Sequence, residues 1–236
     1  MSTTWIIIIS VIAFAILICF LLAIANYSYD RFLERYKELD SQPINSNITT
    51  YDFINSINNT IFDGKIKIVQ ISRLAGDAYS KGKLFLSTST LNNDSLASIT
   101  IIAHELGHAK QDKEGKKLKR LTFLRTFGKF LGFLFPLCIV AGIILLFLGR
   151  SLTTTGFILL GIALGIFLLS LLGKLFTISI ERDASNNAII FLQEYLTEGE
   201  VKKCKRFLKD ARLTYWADFL RILLGWTSLS RKSKMF

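Results

Sequence analysis

The chain has 236 residues, of which 51% are hydrophobic and 20% charged, and its formal net charge is +11. A mean hydropathy of +0.41 favours a small domain joined to membrane segments over a purely soluble chain. The spacing of the three cysteines, Cys19, Cys138 and Cys204, does not suggest a disulfide framework or a cysteine-based zinc site. A basic chain suits nucleic acid or anionic lipid, and the long apolar blocks favour lipid, so no nucleic-acid partner is predicted.

The first apolar block, residues 6–25, is long enough to cross the hydrocarbon core of a bilayer. The competing interpretation is a cleaved signal peptide, which we disfavour because no Lys or Arg precedes the block and no small-residue cleavage site follows it. We therefore predict a transmembrane anchor. Arg31, Arg35 and Lys37 come next, and the positive-inside rule places the segment after the anchor in the cytoplasm.

The segment after the anchor has the pattern of a small folded domain. Helical spacing predicts a helix over 50–62, and alternating apolar residues predict strands over 65–72 and 83–90, as a hairpin or as two adjacent strands. Asn93 and Asp94 are predicted to cap a helix over about 95–111.

Two further apolar blocks, 130–148 and 156–172, are separated by a short link and predict a transmembrane hairpin. Close packing of its arms is predicted at three small residues, Gly142, Gly161 and Gly165.

The hairpin returns the chain to the cytoplasmic side, where the pattern becomes amphipathic from Lys174. A last apolar stretch, 213–229, is interrupted by Asp218 and Arg221, so we expect an interfacial or domain-packed helix there.

Residues 104–108 read His-Glu-Leu-Gly-His, and they contain both histidines of the chain. Positions i and i+4 lie on one face of a helix, so His104 and His108 can reach one zinc ion. Glu105 lies beside that ion and is the predicted general base for the hydrolysis of a peptide bond by water. The competing interpretation is a surface helix with two unrelated histidines. We also hypothesise that strand 83–90 is an edge strand that aligns the substrate backbone.

A catalytic zinc site usually has three protein ligands, and no third histidine exists, so the third ligand must be Glu, Asp or Cys. Glu181 is the best candidate because it is predicted to begin the amphipathic helix just after the hairpin. The alternative is an ordinary carboxylate at a helix N-terminus. Asp183 and Glu194 are the runners-up.

The chain resembles the YugP-like family of neutral zinc metallopeptidases, which are bacterial membrane proteins. The resemblance implies a zinc metallopeptidase of the bacterial inner or plasma membrane, with Glu181 in the third-ligand position. The sequence departs from the family at Ala78, where the family often has a histidine before the tyrosine that matches Tyr79. The segments that carry the resemblance are 77–79, 84–87, SITIIAHELGHAKQDKEG at 98–115, ERDAS at 181–185 and ARLTY at 211–215.

The predicted fold is α+β and mostly helical, with a small zincin-like catalytic domain that contains a short β-sheet. The predicted divisions are an N-terminal transmembrane anchor (1–27), a cytoplasmic catalytic domain (28–129), a transmembrane hairpin (130–173) and cytoplasmic or interfacial helices that supply the third zinc ligand (174–236).

The predicted function is that of a multi-pass, membrane-bound zinc metalloendopeptidase with its active site facing the cytoplasm. Its cofactor is Zn²⁺, and its partners are the lipid bilayer and a protein or peptide substrate, including membrane-associated ones. Tyr79 and Tyr215 are candidate stabilisers of the oxyanion. One alternative is a protease of the HtpX or CAAX-processing type, whose later element has Asp where this chain has Ser185; the other is a non-catalytic zinc-binding membrane scaffold.

Overall fold

The computed structural model describes residues 3–45, 48–72, 76–115 and 117–223. Within these ranges the chain is mostly helical with one small three-stranded sheet, which confirms the mixed helix-and-sheet class in that coarse form. The elements in chain order are α1 (Thr3–Asp40), α2 (Thr50–Phe62), β1 (Lys67–Ile71), β2 (Ala78–Ser80), β3 (Lys83–Ser87), α3 (Thr88–Asn92), α4 (Leu96–Lys113), α5 (Lys117–Phe147), a short 3₁₀ turn (Arg150–Leu152), α6 (Thr153–Gln193) and α7 (Glu198–Leu223).

Helix α4 is the central element of the folded domain, and nearly all of its side chains from Leu96 to Ala109 are buried. It is surrounded by apolar side chains from the other helices and from the sheet. Because α4 has no exposed face, its polar side chains are buried too and need partners inside the protein. The large core residues of this cluster include Phe32, Leu39, Phe53, Ile57, Leu84, Phe191 and Phe207.

The start of α4 differs from the sequence-based expectation. Ser95 is the N-cap residue, and its hydroxyl accepts the backbone N–H of Ser98. The predicted caps Asn93 and Asp94 are therefore wrong. Asp94 instead accepts the backbone N–H of Thr50 at 2.7 Å, at the start of α2. The short Ser95 side chain suits the cap position, which leaves the Asp94 carboxylate for the neighbouring helix.

The sheet has the strand order β1-β3-β2, with β1 parallel and β2 antiparallel to β3. The prediction of two adjacent strands is confirmed by β1 and β3. A tight turn through Lys81 and Gly82, both with positive φ, joins β2 to β3 as a hairpin. The edge-strand hypothesis for 83–90 is wrong because β3 is the middle strand. It also ends earlier, where the Ser87 hydroxyl accepts the N–H of Thr90 and begins α3.

Helices α5 and α6 pack against each other as an antiparallel hairpin. Their backbones approach most closely at Gly142 and Gly156, where a Cβ on Gly156 would lie 2.9 Å from the Gly142 carbonyl oxygen. The prediction of close packing is thus confirmed for Gly142. It is wrong for Gly161 and Gly165, because in the part of the chain that the structure describes no atom outside the local helix lies within 4 Å of a Cβ at either position.

Residues Thr126–Phe147 of α5 and the whole of α6 are long and apolar enough to cross a bilayer. Only 17% of each apolar window is buried inside the protein, whereas the core helix of a soluble protein would be mostly buried. The N-terminal anchor stays a prediction, and α1 continues as one helix through position 27, where that anchor was expected to end.

Helix α6 runs for 41 residues without a break, so the expectation that an amphipathic helix begins at Glu181 is wrong. The change from an apolar to an amphipathic pattern contains no proline and no terminating cap, and Gly173 lies inside the helix. Glu181 is therefore an internal helix residue, which removes the alternative that it is a carboxylate at a helix N-terminus.

Helix α7 packs along α1. The rings of Phe32 and Phe207 stack with centroids 5.4 Å apart. Asp210 is buried between the helices, where its carboxylate accepts a hydrogen bond from Arg35 Nε at 2.9 Å and lies 3.3 Å from Arg31 Nε. The described part of α7 thus packs on the domain, and the end of the predicted stretch 213–229 lies outside the described residues.

We expect Asp210→Asn to lower the free energy of unfolding by about 1–3 kcal/mol, because the buried arginine contacts lose their charged acceptor. Thermal unfolding of the detergent-solubilised protein measures the change. The control is Lys65→Ala, which breaks the exposed ion pair with Asp63 and should leave stability unchanged. Equal stability of the two variants would contradict the assignment of Asp210 as the link between α1 and α7.

Candidate metal centre

Two imidazole rings and one carboxylate converge between α4 and α6. The Oε2 atom of Glu181 lies 3.3 Å from His104 Nε2 and 3.5 Å from His108 Nε2. The two rings meet edge to face, with centroids 4.8 Å apart. His104, His108 and Glu181 are only 7%, 5% and 0% exposed. The structure therefore brings together the three residues that the sequence analysis proposed as a metal-ligand set.

The two spacings between the Glu181 oxygen and the histidine nitrogens fit a tetrahedral zinc site. Zinc binds nitrogen and oxygen at about 2.0–2.2 Å, so two ligand atoms at tetrahedral positions lie about 3.3–3.6 Å apart. Both distances to the Glu181 oxygen, 3.3 and 3.5 Å, fall in this range. Among the described residues the group has three members whose ligand atoms lie within 4.8 Å of one another. Three protein ligands leave a fourth position for water or substrate, as in catalytic rather than structural zinc sites.

The convergence depends on how closely α4 and α6 cross. Gly107 lies between the two histidines, and a Cβ built on it would overlap the carbonyl oxygen of Ala184 on α6. Only glycine lets the two backbones approach this closely, and the approach brings Glu181 within reach of both rings. The sequence analysis did not assign a role to Gly107, although a glycine inside a helix is a signal of close packing.

The outer nitrogens of both rings also have partners. His108 Nδ1 lies 3.0 Å from Gln111 Oε1, and His104 Nδ1 lies 3.5 Å from Ser185 Oγ. The Ser185 hydroxyl in turn donates to the Glu181 backbone carbonyl at 2.8 Å. In both rings Nε2 faces the carboxylate and Nδ1 faces a supporting side chain. Sequence reasoning missed Gln111 in this position, although it lies one turn after His108, within the helix spacing that predicts side-chain contact.

Glu105 lies beside the three grouped residues and is also buried. Its Oε2 atom accepts the backbone N–H of Tyr79 at 2.8 Å, so strand β2 orients the carboxylate. Burial raises the pKa of Glu105, and the nearby His108 and His104 oppose that shift. Burial alone would lower the pKa of His108, but the hydrogen bond and charge of Glu181 outweigh it and raise the pKa to about 9. Binding of a metal ion to His108 would therefore release a proton at neutral pH.

The two tyrosines named as candidate oxyanion stabilisers have contacts outside the metal-ligand group, and their auxiliary role stays a prediction. The Tyr79 hydroxyl donates to Asp112 at 3.0 Å and accepts the N–H of Gly82 at 2.9 Å, and burial raises its pKa to about 12. Tyr79 therefore reaches the site through its backbone. The ring of Tyr215 lies 5.0 Å from the ammonium group of Lys174, which comes about two helical turns before Glu181 on α6.

The two runner-up carboxylates for the third ligand position, Asp183 and Glu194, lie outside the group of ligand atoms. The carboxylate of Asp183 accepts a hydrogen bond from Gln111 at 3.0 Å. Glu194 is exposed at the C-terminal end of α6. Neither belongs to the group of ligand atoms around His104.

Residues 8–230 match the model of a protein family described as "Putative neutral zinc metallopeptidase". The chain belongs to this family. The matched range covers nearly the whole chain and includes the three metal-ligand candidates and Glu105. The family description implies zinc, in agreement with the tetrahedral spacing described above. Searches of curated proteins and of solved structures found no match.

We expect Gly107→Ala to push α4 and α6 apart, to weaken zinc binding and to cost about 1–3 kcal/mol of stability through overpacking. The matched control is Gly161→Ala on α6, where a Cβ meets nothing within 4 Å and stability should stay unchanged or rise. Zinc content and thermal unfolding of the purified proteins measure both effects. A Gly107→Ala protein with wild-type zinc content and stability would show that the close crossing is not needed.

Proposed function

We propose that the protein is a membrane-bound zinc metalloendopeptidase in which His104, His108 and Glu181 hold the metal and Glu105 is the general base. The observation that carries the proposal is the convergence of both Nε2 atoms on one carboxylate oxygen, with distances that fit a tetrahedral site. A second carboxylate lies next to this group and is not one of its three members.

A zinc ion bound here would polarise the scissile carbonyl and lower the pKa of water toward neutrality. Glu105 accepts the proton that water loses and passes it to the leaving amine. Its raised pKa suits this exchange, because a carboxylate with a higher pKa is a better proton acceptor. The Tyr79 N–H holds Oε2 of Glu105 and leaves Oε1 for the water.

Several observations support a membrane setting. Large apolar side chains on α5 and α6, among them Phe133, Phe147 and Phe157, are exposed in the isolated chain. The hairpin would cross the bilayer, and the N-terminal anchor would add a third span. Basic residues after the first apolar block favour a cytoplasmic site. The family resemblance favours a bacterial inner or plasma membrane, with a protein or peptide as the substrate. The long apolar blocks favour lipid rather than nucleic acid as a partner of this basic chain.

We expect Glu105→Gln to retain zinc but to lose about 10²–10⁴-fold of the peptidase rate, because the amide cannot accept the proton from water. Metal analysis and a casein-degradation assay on the detergent-solubilised protein measure the two properties. Full activity in Glu105→Gln would refute the base assignment. Zinc binding without hydrolysis in the wild-type protein would favour the non-catalytic scaffold.

Glu181→Gln should lower zinc occupancy sharply, because a neutral amide oxygen replaces the only anionic ligand. The matched control is Glu194→Gln on the same helix, which changes an exposed glutamate and should leave zinc occupancy unchanged. Stripping zinc from the wild-type protein with a chelator should abolish peptide hydrolysis, and added zinc should restore it. Equal zinc occupancy in the two glutamine variants would refute Glu181 as the third ligand.

A further inference from the structure

Gln111 is a fully buried polar residue near the end of α4, and all of the hydrogen-bonding contacts described for it are directed to the metal centre and its supports. Its Oε1 atom lies 3.0 Å from Nδ1 of His108. Its Nε2 atom donates to the backbone carbonyl of Ile180 at 2.8 Å and to the Asp183 carboxylate at 3.0 Å. The side-chain amide therefore bridges a metal-ligand candidate on α4 to two positions that flank Glu181 on α6.

The direction of each hydrogen bond follows from the partners of the amide. A backbone carbonyl and a carboxylate can only accept hydrogen bonds, so the atom that contacts both must be the NH₂ group of Gln111. The other end of the amide is then the oxygen, which can only accept. His108 must therefore carry a proton on Nδ1, and once the ring is neutral, as metal binding requires, Nε2 has the lone pair that a metal ion needs.

We propose that Gln111, held by Asp183, is a positioning residue for the metal centre that fixes both the tautomer of His108 and the placement of the α6 turn that carries Glu181. The proposal rests on the proposed function only in that His108 and Glu181 are zinc ligands. Histidine ligands commonly donate their outer N–H to a carboxylate, carbonyl or water, and such partners hold the ring in place. Here the neutral amide of Gln111 is the partner of the outer nitrogen of His108, and the Asp183 carboxylate contacts the amide rather than the ring.

This arrangement has a consequence for the charge at the site. A carboxylate directly behind His108 would add a further negative charge close to Glu181 and Glu105 and reduce the net positive charge of a zinc complex. The Gln111 amide orients the ring without that charge, and Asp183, which is partly exposed, fixes the amide from the solvent side. The same amide links α4 to α6, so loss of its hydrogen bonds should disturb two of the three ligands together.

The test is the zinc dissociation constant of the full-length, detergent-solubilised protein, measured by competition with a chelator. We expect Gln111→Met, which keeps the size of the side chain but removes its hydrogen bonds, to weaken zinc binding about 10–100-fold. The matched control is Gln193→Met at an exposed position of α6, which should leave the constant unchanged. A purely structural role would lower the Tm of the zinc-stripped protein and leave zinc affinity at the wild-type value, and that result would overturn the proposal.

A second pair of variants keeps the proposal falsifiable should Gln111→Met fail to fold. Gln111→Glu retains an acceptor for His108 but loses the donor to Asp183, and the two carboxylates repel. Asp183→Asn in the same chain restores a donor–acceptor pair with the direction reversed. We expect zinc affinity to fall in Gln111→Glu and to recover in part in the double variant, in which the Ile180 carbonyl still lacks the donor that Gln111 supplies. Failure of the double variant to recover any affinity would contradict the role assigned to the Gln111–Asp183 contact.

The Nδ1 proton of His108 gives a spectroscopic readout. The chain has only two histidines, so the ring signals of a ¹⁵N-histidine-labelled, zinc-loaded sample can be assigned with one His104 variant. The His108 Nδ1–H should exchange slowly with water in the wild type and rapidly in Gln111→Met. Unchanged exchange would overturn the proposal. Wild-type protein that binds zinc without hydrolysing peptides would refute the peptidase function while leaving the role of Gln111 intact, whereas wild-type protein that binds no zinc would refute both.

Discussion

A single buried carboxylate oxygen, Oε2 of Glu181, lies within 3.5 Å of one nitrogen from each of two imidazole rings. A carboxylate with no exposure is strongly destabilising unless charged or hydrogen-bonding partners surround it. In this protein the partners come from α4, and they reach Glu181 only because Gly107 lets the two helices cross at backbone contact. The contact of Glu181 with the two histidines depends on three features of the fold. These are the burial of α4, the hairpin that brings α6 back to α4, and the close crossing of the two helices.

Polar atoms from three elements of the fold, α4, α6 and β2, contact the metal-ligand candidates and Glu105 from outside the site. The outer nitrogens of the histidines contact Gln111 on α4 and Ser185 on α6, and the Glu105 carboxylate is held by the backbone of β2. The main contribution of the small sheet to the site is therefore the backbone N–H of Tyr79, which orients the Glu105 carboxylate. Its hairpin is anchored to α4 by the Tyr79 hydroxyl, which bridges Asp112 and the backbone of its own turn.

Much of the candidate site could be predicted from the sequence because its two histidines follow the period of an α-helix, a local property. Glu181 could be proposed because no third histidine exists and the hairpin returns the chain to the same side. The continuity of α6 could not be predicted, since a change from apolar to amphipathic pattern contains no stop signal. The middle position of β3 was hidden because its antiparallel neighbour β2 has only three residues. The contacts of Gly107 and Gln111 depend on how two helices cross, which no local pattern specifies.

In the proposed membrane setting, the unbroken helix α6 would connect the bilayer to the candidate metal centre as one rigid rod. Glu181 lies about 40 Å along the helix from its start beyond the hairpin turn, so a change of about 5° in tilt would displace this residue by roughly 3–4 Å if the far end stayed fixed. Metal–ligand distances tolerate about 0.2 Å. Tilt of a membrane helix responds to the thickness of the surrounding hydrocarbon. In the proposed setting, the length of the lipid chains would therefore affect zinc coordination through the tilt of α6. The backbone contact at Gly107 opposes such a displacement of Glu181.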